Sequence, residues 1–367
     1  MSRPRSPLAL ALAALAAASC SKPAPLKVGL VTGLSGRHYD LGLSSRNGVE
    51  LALRRLNAAG GVNGRPVELL VRDDGQDPEL ARRAVEELVQ AGVVAIIGHA
   101  TSSMADVTIP IVNREHVLMV SPTASSAAFL GKDDWFVMMH PSTIESGKAL
   151  ADHVSSRHLA RRITVVYDLS NRAYTQAWYD AFKAAFDGLG GTVRPLPFTA
   201  GQVASWGALA EQALAGDADG VTIVANSLDT AAFCQQVRLR SAVPIFGAEW
   251  GFTQDVIANG GRAVEGAIFV MKVDLEDSSP RFVAFKQAYL ERFGRPVDFA
   301  AVMAYEALQV LAEALRRDPT REGVRKVVLS LGSFEGLQGP VRIDAFGDGK
   351  PRHFAVTVRD GRVVPAE

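Results

Sequence analysis

The chain has 367 residues, with 39 Lys+Arg against 39 Asp+Glu and 48% apolar residues. The balanced charge gives no electrostatic case for nucleic acid, and the apolar content excludes an intrinsically disordered chain. Its two cysteines, Cys20 and Cys234, leave no internal disulfide for the mature fold.

Met1 to Cys20 reads as a signal peptide. Arg3 and Arg5 form a positive n-region, and Leu8 to Ala18 is an apolar core too short to span a bilayer. Ala17-Ala18-Ser19-Cys20 resembles the lipobox of bacterial lipoproteins, whose cysteine is lipidated after cleavage. That pattern prefers Leu where Ala17 stands, so lipidation of Cys20 and ordinary cleavage both stay open. Either route predicts a periplasmic or extracytoplasmic protein, with residues 21–25 as a tether. No other run is long and apolar enough for a membrane helix.

The remaining roughly 340 residues exceed one typical core and predict two lobes. Leu26 to Val31 is the first strand, followed by a Gly-rich polar loop, Thr32 to Gly42. Ser44 to Ala58 is a helix carrying Val49, Leu51, Leu53 and Leu56, and it stops at Gly60-Gly61. Val67 to Val71, a turn from Asp73 to Pro78, and a helix from Glu79 to Ala91 follow. Val93 to Ile97 is a continuous apolar run, as expected of a parallel strand buried on both faces. It leads through Gly98 to Ser103 into a short helix near Met104, then Val117 to Val120, then Ser121-Pro122-Thr123-Ala124-Ser125-Ser126. This alternation is the signature of an α/β, doubly wound parallel sheet. Its polar loops leave the carboxyl ends of adjacent strands, where such sheets bind ligands. Hydroxyls beside free N–H groups at a helix start suit a carboxylate, although Ser102 and Ser125 have helix capping as their plain alternative.

A second lobe is predicted from Ser142. It takes strands at Ile163 to Tyr167, Thr192 to Pro197, Gly220 to Ala225, Val243 to Phe246 and Ala267 to Val270. Its helices are Tyr174 to Leu189, Trp206 to Ala215 and Thr230 to Arg238, with Cys234 a small core residue. Asp168 to Arg172 is a polar loop, and Asn226 to Asp229 stand at the carboxyl end of the Gly220 strand. Pro280 to Phe293 and Ala300 to Arg316 are long amphipathic helices suited to the first lobe. No G-x-G-x-x-G follows the first strand, and no P-loop or H-E-x-x-H occurs anywhere. Asp344 to Gly349 faintly suggests a calcium loop, but Phe346 stands where an oxygen is needed, so it reads as a turn. The seven histidines lack metal-ligand spacing. No metal, cofactor or catalytic residue is predicted; His99 beside Ser102 lacks the third group that orients a base.

Gly29-Leu30-Val31-Thr32-Gly33-Leu34-Ser35-Gly36, Asn57 to Gly64, Asp73-Asp74 with Asp77-Pro78, and Ser121-Pro122 resemble the periplasmic Leu/Ile/Val-binding protein family. Phe334 to Asp344 resembles that family's closing motif. These are type I solute-binding receptors of ABC importers, and the resemblance covers almost the whole mature chain. It implies the type I periplasmic-binding-protein fold: two lobes joined by three crossovers, closing on a ligand in the cleft. Lobe 1 would comprise 26–141 and 272–341, and lobe 2 142–271 and 342–367.

The resemblance also implies a site. In amino-acid-binding members the first lobe holds the ligand carboxylate and the second its ammonium. Ser102 falls on the carboxylate-binding serine, Thr123 on a position offering backbone groups, and Ser125 on the hydroxyl that meets both charges. Glu249 falls on the acidic partner of the ammonium, a pairing that would explain a buried carboxylate. Tyr174 matches an aromatic residue of the second lobe, after a loop about two residues longer here. Trp250 is a candidate apolar wall. Leu41 stands where branched-chain binders carry an aromatic, with Tyr39 a nearby substitute, and Ser227 replaces a second-lobe tyrosine. Gln76 and Thr101 occupy positions that form a disulfide in some relatives. The expectation is a non-enzymatic, monomeric transport protein that takes a small amino acid, branched-chain or otherwise apolar, to a permease and its ATPase. Two alternatives stay open: a receptor for aromatic or aliphatic carboxylic acids or amides, and a ligand sensor acting on a signalling partner.

Overall fold

The computed structural model describes residues 23–36, 39–139, 141–350 and 353–366. The signal segment and Cys20 lie outside the described residues.

Strand β1 (Leu26–Thr32) is followed by α1 (Tyr39–Ala58), β2 (Val67–Asp73), α2 (Pro78–Gln90), β3 (Ala95–Gly98), α3 (Ser102–Glu115), β4 (Leu118–Ser121) and β5 (Phe136–Met138). The five strands form a parallel sheet in the order β2-β1-β3-β4-β5. Strands β3 and β4 are buried along their whole length, which matches their unbroken apolar runs. The chain then enters a second unit: α4 (Thr143–Ser156), β6 (Arg162–Asp168), α5 (Arg172–Gly188), β7 (Thr192–Phe198), α6 (Trp206–Leu214), β8 (Gly220–Val224), α7 (Ser227–Arg238), β9 (Ile245–Ala248), α8 (Gln254–Gly260) and β10 (Ile268–Met271). Its parallel strands run β7-β6-β8-β9-β10, the same winding as the first sheet. Each sheet therefore reverses direction beside its first strand, and ligands bind at the carboxyl ends of strands near such a switch.

The chain returns to the first lobe through α9 (Pro280–Phe293), α10 (Phe299–Arg317) and α11 (Arg321–Leu331). Helix α10 packs along α1, and Gly48 makes that approach possible: a Cβ there would stand 2.1 Å from the Ala301 carbonyl oxygen. A small hairpin, β11 (Ser333–Glu335) with β12 (Pro340–Arg342), precedes the last passage. Strands β13 (Phe354–Arg359) and β14 (Arg362–Pro365) then extend the second sheet antiparallel beyond β10. Three segments thus connect the lobes, after Met139, after Met271 and after Arg342.

Several elements differ from the sequence reading. Helix α1 begins at Tyr39 rather than Ser44, which puts Asp40 in its first turn, where the helix dipole favours an acid. Helix α7 begins at Ser227 rather than Thr230, because Asn226 caps it by accepting from Asp229 N at 3.0 Å. Helix α11 was not expected because its buried stripe is only Val324 and Val328 beside Gly323. The three-residue β5 is too short to show a period. Among the described residues no helix is long and apolar enough to cross a membrane.

Candidate ligand site between the lobes

The site is built from strand ends. The loops after β3 and β4 are stitched together: Ser121 Oγ donates to the His99 carbonyl at 2.7 Å, and Thr123 Oγ1 to that of Ala100 at 2.6 Å. Ser102 opens α3, and its Oγ accepts from Ser125 N at 3.0 Å. Ser125 Oγ is buried and meets no hydrogen-bond partner among the described residues. Thr123 has its hydroxyl occupied by the Ala100 carbonyl. Behind the loops, His99 Nδ1 and Asp74 Oδ2 lie 2.7 Å apart with no exposed surface, so His99 has an orienting carboxylate that the sequence did not show; its Nε2 meets no hydrogen-bond partner among the described residues, while Ser102 Oγ accepts from Ser125 N.

From the second lobe, Glu249 stands in a single 3₁₀ turn just past β9. Trp250 follows it, and its ring meets Tyr174 of α5 edge-on, with centroids 5.9 Å apart. Burial raises the Tyr174 phenol far above its ordinary range, and the Glu249 carboxylate adds to that. The phenol is therefore a neutral hydrogen-bonding group.

Ser102, Thr123, Ser125 and Leu41 from one side, with Tyr174, Glu249 and Trp250 from the other, line one cavity. Ala100, Phe299 and Asn171 complete its wall. Asn171 and Phe299 escaped the sequence reading. Asn171 was assigned to a polar loop, and only its place at a strand's carboxyl end hinted at a role. Phe299 was missed because the helix was expected to start one residue later.

Two expected residues stand elsewhere. Tyr39 is 42% exposed and does not line the cavity, since α1 begins there and turns its side chain outward. Ser227 is buried, but its hydroxyl donates across the cleft to the Asp40 carboxylate, which also accepts from Thr253 Oγ1 at 3.2 Å. Ser103 N donates to Asn171 Oδ1 at 3.1 Å, a further bond between the lobes. The lobes are closed on the cavity.

The largest departure concerns Glu249. Its buried carboxylate already has a cation of its own chain: Lys272 N donates to Oε1 at 2.7 Å, and Lys272 Nζ lies 3.6 Å from Oε2. Burial raises the Glu249 carboxyl and lowers the Lys272 ammonium, and each partner opposes the other's shift. The pairing with a ligand ammonium that the sequence suggested is therefore not needed to account for a buried glutamate. Glu249 still lines the cavity. No cluster of His, Cys, Asp or Glu among the described residues could hold a metal ion.

Two doubly wound lobes closed on a small cavity of hydroxyls, a carboxylate and aromatics define a ligand-binding receptor of the type I periplasmic kind. The chain belongs to the periplasmic binding protein family, whose model matches residues 25–361. The Leu/Ile/Val-binding protein of Escherichia coli (strain K12) is 24% identical over 354 residues, 94% of this chain and 93% of that protein. A leucine binding protein from Thermotoga maritima superposes with a TM-score of 0.86 at 23% identity, covering 93% of this chain and 98% of that one. A solute binding protein from R. palustris in complex with benzoate gives a TM-score of 0.83 at 20% identity, covering 93% and 95%.

Proposed function

We propose that this chain is the extracytoplasmic solute-binding protein of an ABC importer, taking a small apolar amino acid into the cleft and delivering it to a permease. The observation that carries the reading is the buried, unpartnered Ser125 hydroxyl beside Ser102, facing Glu249 across one closed cavity. Ser102 and Ser125 would donate to the ligand carboxylate at the start of α3, where the dipole favours an anion. Glu249 and the Tyr174 phenol would receive the ammonium, with Leu41, Trp250 and Phe299 around the side chain. The relatives named for leucine, isoleucine and valine support this ligand class. Hinge closure would present the loaded form to the permease.

A second reading has its own support. The Lys272 ammonium already balances Glu249, so a carboxylate without an amine leaves no uncompensated charge in the cavity. The benzoate-bound neighbour fits that class. A thermal-shift screen of unfolded, dialysed and refolded protein separates the two readings. A ligand at about 100 times its dissociation constant adds roughly 2.7 kcal/mol of stability. Hits among α-amino acids support the first reading and hits confined to amine-free acids the second. No hit in either class counts against both.

A further inference from the structure

Lys272 lies just past β10, on the second passage between the lobes, and is 7% exposed. Its Nζ donates to the Pro141 carbonyl on the first passage at 3.1 Å while facing Glu249. One side chain thus joins two hinge segments and the back of the ligand site. Its charge is felt beyond Glu249: burial and then Lys272 push the His353 imidazole down to about 4. His353 therefore stands neutral beside it and adds no second cation. The wall that the second lobe turns to the ligand holds one carboxylate and, directly behind it, one ammonium.

We propose that Lys272 sets the charge class of the ligand: by neutralising Glu249 from behind, it lets the cleft accept both a zwitterion and a plain carboxylate. This rests on the reading of the cavity as a carboxylate site. Without Lys272 the wall carries a net negative charge, which repels an amine-free acid and favours an ammonium. Without Glu249 the wall carries a net positive charge, which attracts an amine-free acid and repels an ammonium. A buried unit charge several ångströms from the ligand changes affinity by roughly tenfold or more at the effective dielectric of such sites. Lys272 is a positioning and specificity residue: it acts on the ligand through Glu249.

The test uses matched probes, L-leucine and its deaminated counterpart 4-methylpentanoate, titrated calorimetrically into stripped wild-type protein and variants. Lys272→Met should shift the preference toward leucine by roughly tenfold or more. Lys272→Arg should restore the wild-type preference. Glu249→Gln should bind 4-methylpentanoate more tightly than wild type does, because Lys272 is then unopposed. Equal factors for both probes in Lys272→Met, or no gain for 4-methylpentanoate in Glu249→Gln, overturn the proposal. A ligand-free measurement stands beside these: the Glu249 carboxyl carbon, followed by NMR as pH is varied. Its titration should lie at higher pH in Lys272→Met than in wild type, because the ammonium no longer opposes the effect of burial; the same titration in both overturns the role of Lys272. A wild type that takes neither probe counts against the carboxylate site instead, and the NMR comparison still decides the role of Lys272.

Discussion

Asp40 should control affinity without touching the ligand. It projects from the first turn of α1 in one lobe and accepts hydroxyls from Ser227 and Thr253 of the other. In the open form water can hydrate all three groups, so the two bonds favour closure alone. A hydrogen bond to a charged group contributes about 1.5–3 kcal/mol, and water in the open cleft recovers part of that. Taking about 2–3 kcal/mol for the pair, Asp40→Ala should weaken ligand binding roughly thirty- to a hundred-and-fifty-fold, through a smaller closed population. The assay is isothermal titration with the best hit from the thermal-shift screen. The melting temperature of the ligand-free protein serves as the control for folding. The variant should fold normally and bind any ligand of the site more weakly by a similar factor. Affinity unchanged from wild type would refute the reasoning, since the two bonds would then hold equally well in the open form.

Ser102→Ala should weaken carboxylate ligands by about 1.5–3 kcal/mol, the value of a hydrogen bond to a charged group, and amide analogues by less; equal titration curves for variant and wild type would remove Ser102 from the site. Asp298, which caps α10 and accepts from Ser44 Oγ at 2.5 Å, has its carboxyl pushed by burial up to about 6. A folded-state value above the unfolded one contributes stability below about pH 4 that is lost as pH rises through about 6. Wild type should therefore lose about 2–3 kcal/mol relative to Asp298→Asn across that window, as read by urea unfolding; parallel stability profiles would contradict this. Burial pushes the Cys234 thiol up to about 12, so the folded chain from Lys22 onward should resist a disulfide reagent near pH 8 and react only in denaturant. Prompt labelling of the folded protein would show that α7 opens readily.

The winding of both sheets was legible because their inner strands are buried on both faces and read as unbroken apolar runs, such as Val93 to Ile97 and Gly220 to Ala225. Ser102, Thr123, Ser125, Tyr174, Glu249 and Trp250, which line one cavity, could be singled out because they stand at strand ends or helix starts within segments that resemble a known family. What escaped depends on contacts far apart in the chain. Ser227 was read as a ligand residue, yet its partner Asp40 lies 187 residues away. Lys272 follows an apolar strand and carries no local sign of being buried; only the folded hinge puts its ammonium behind Glu249. Tyr39 was misplaced for a local reason, since Asp40 starts α1 earlier than the apolar stripe from Val49 suggests. Helix α11 and strands β13 and β14 are short and half-exposed, so periodicity gave little to read.

Small-angle scattering on the ligand-stripped protein, before and after addition of the best hit, tests most directly that the ligand sits between the lobes and closes them. The account predicts a smaller radius of gyration on saturation, with the change abolished at the same ligand concentration in Ser125→Val. Saturable binding that leaves the radius unchanged, or contraction that survives Ser125→Val undiminished, would place the ligand outside this cavity.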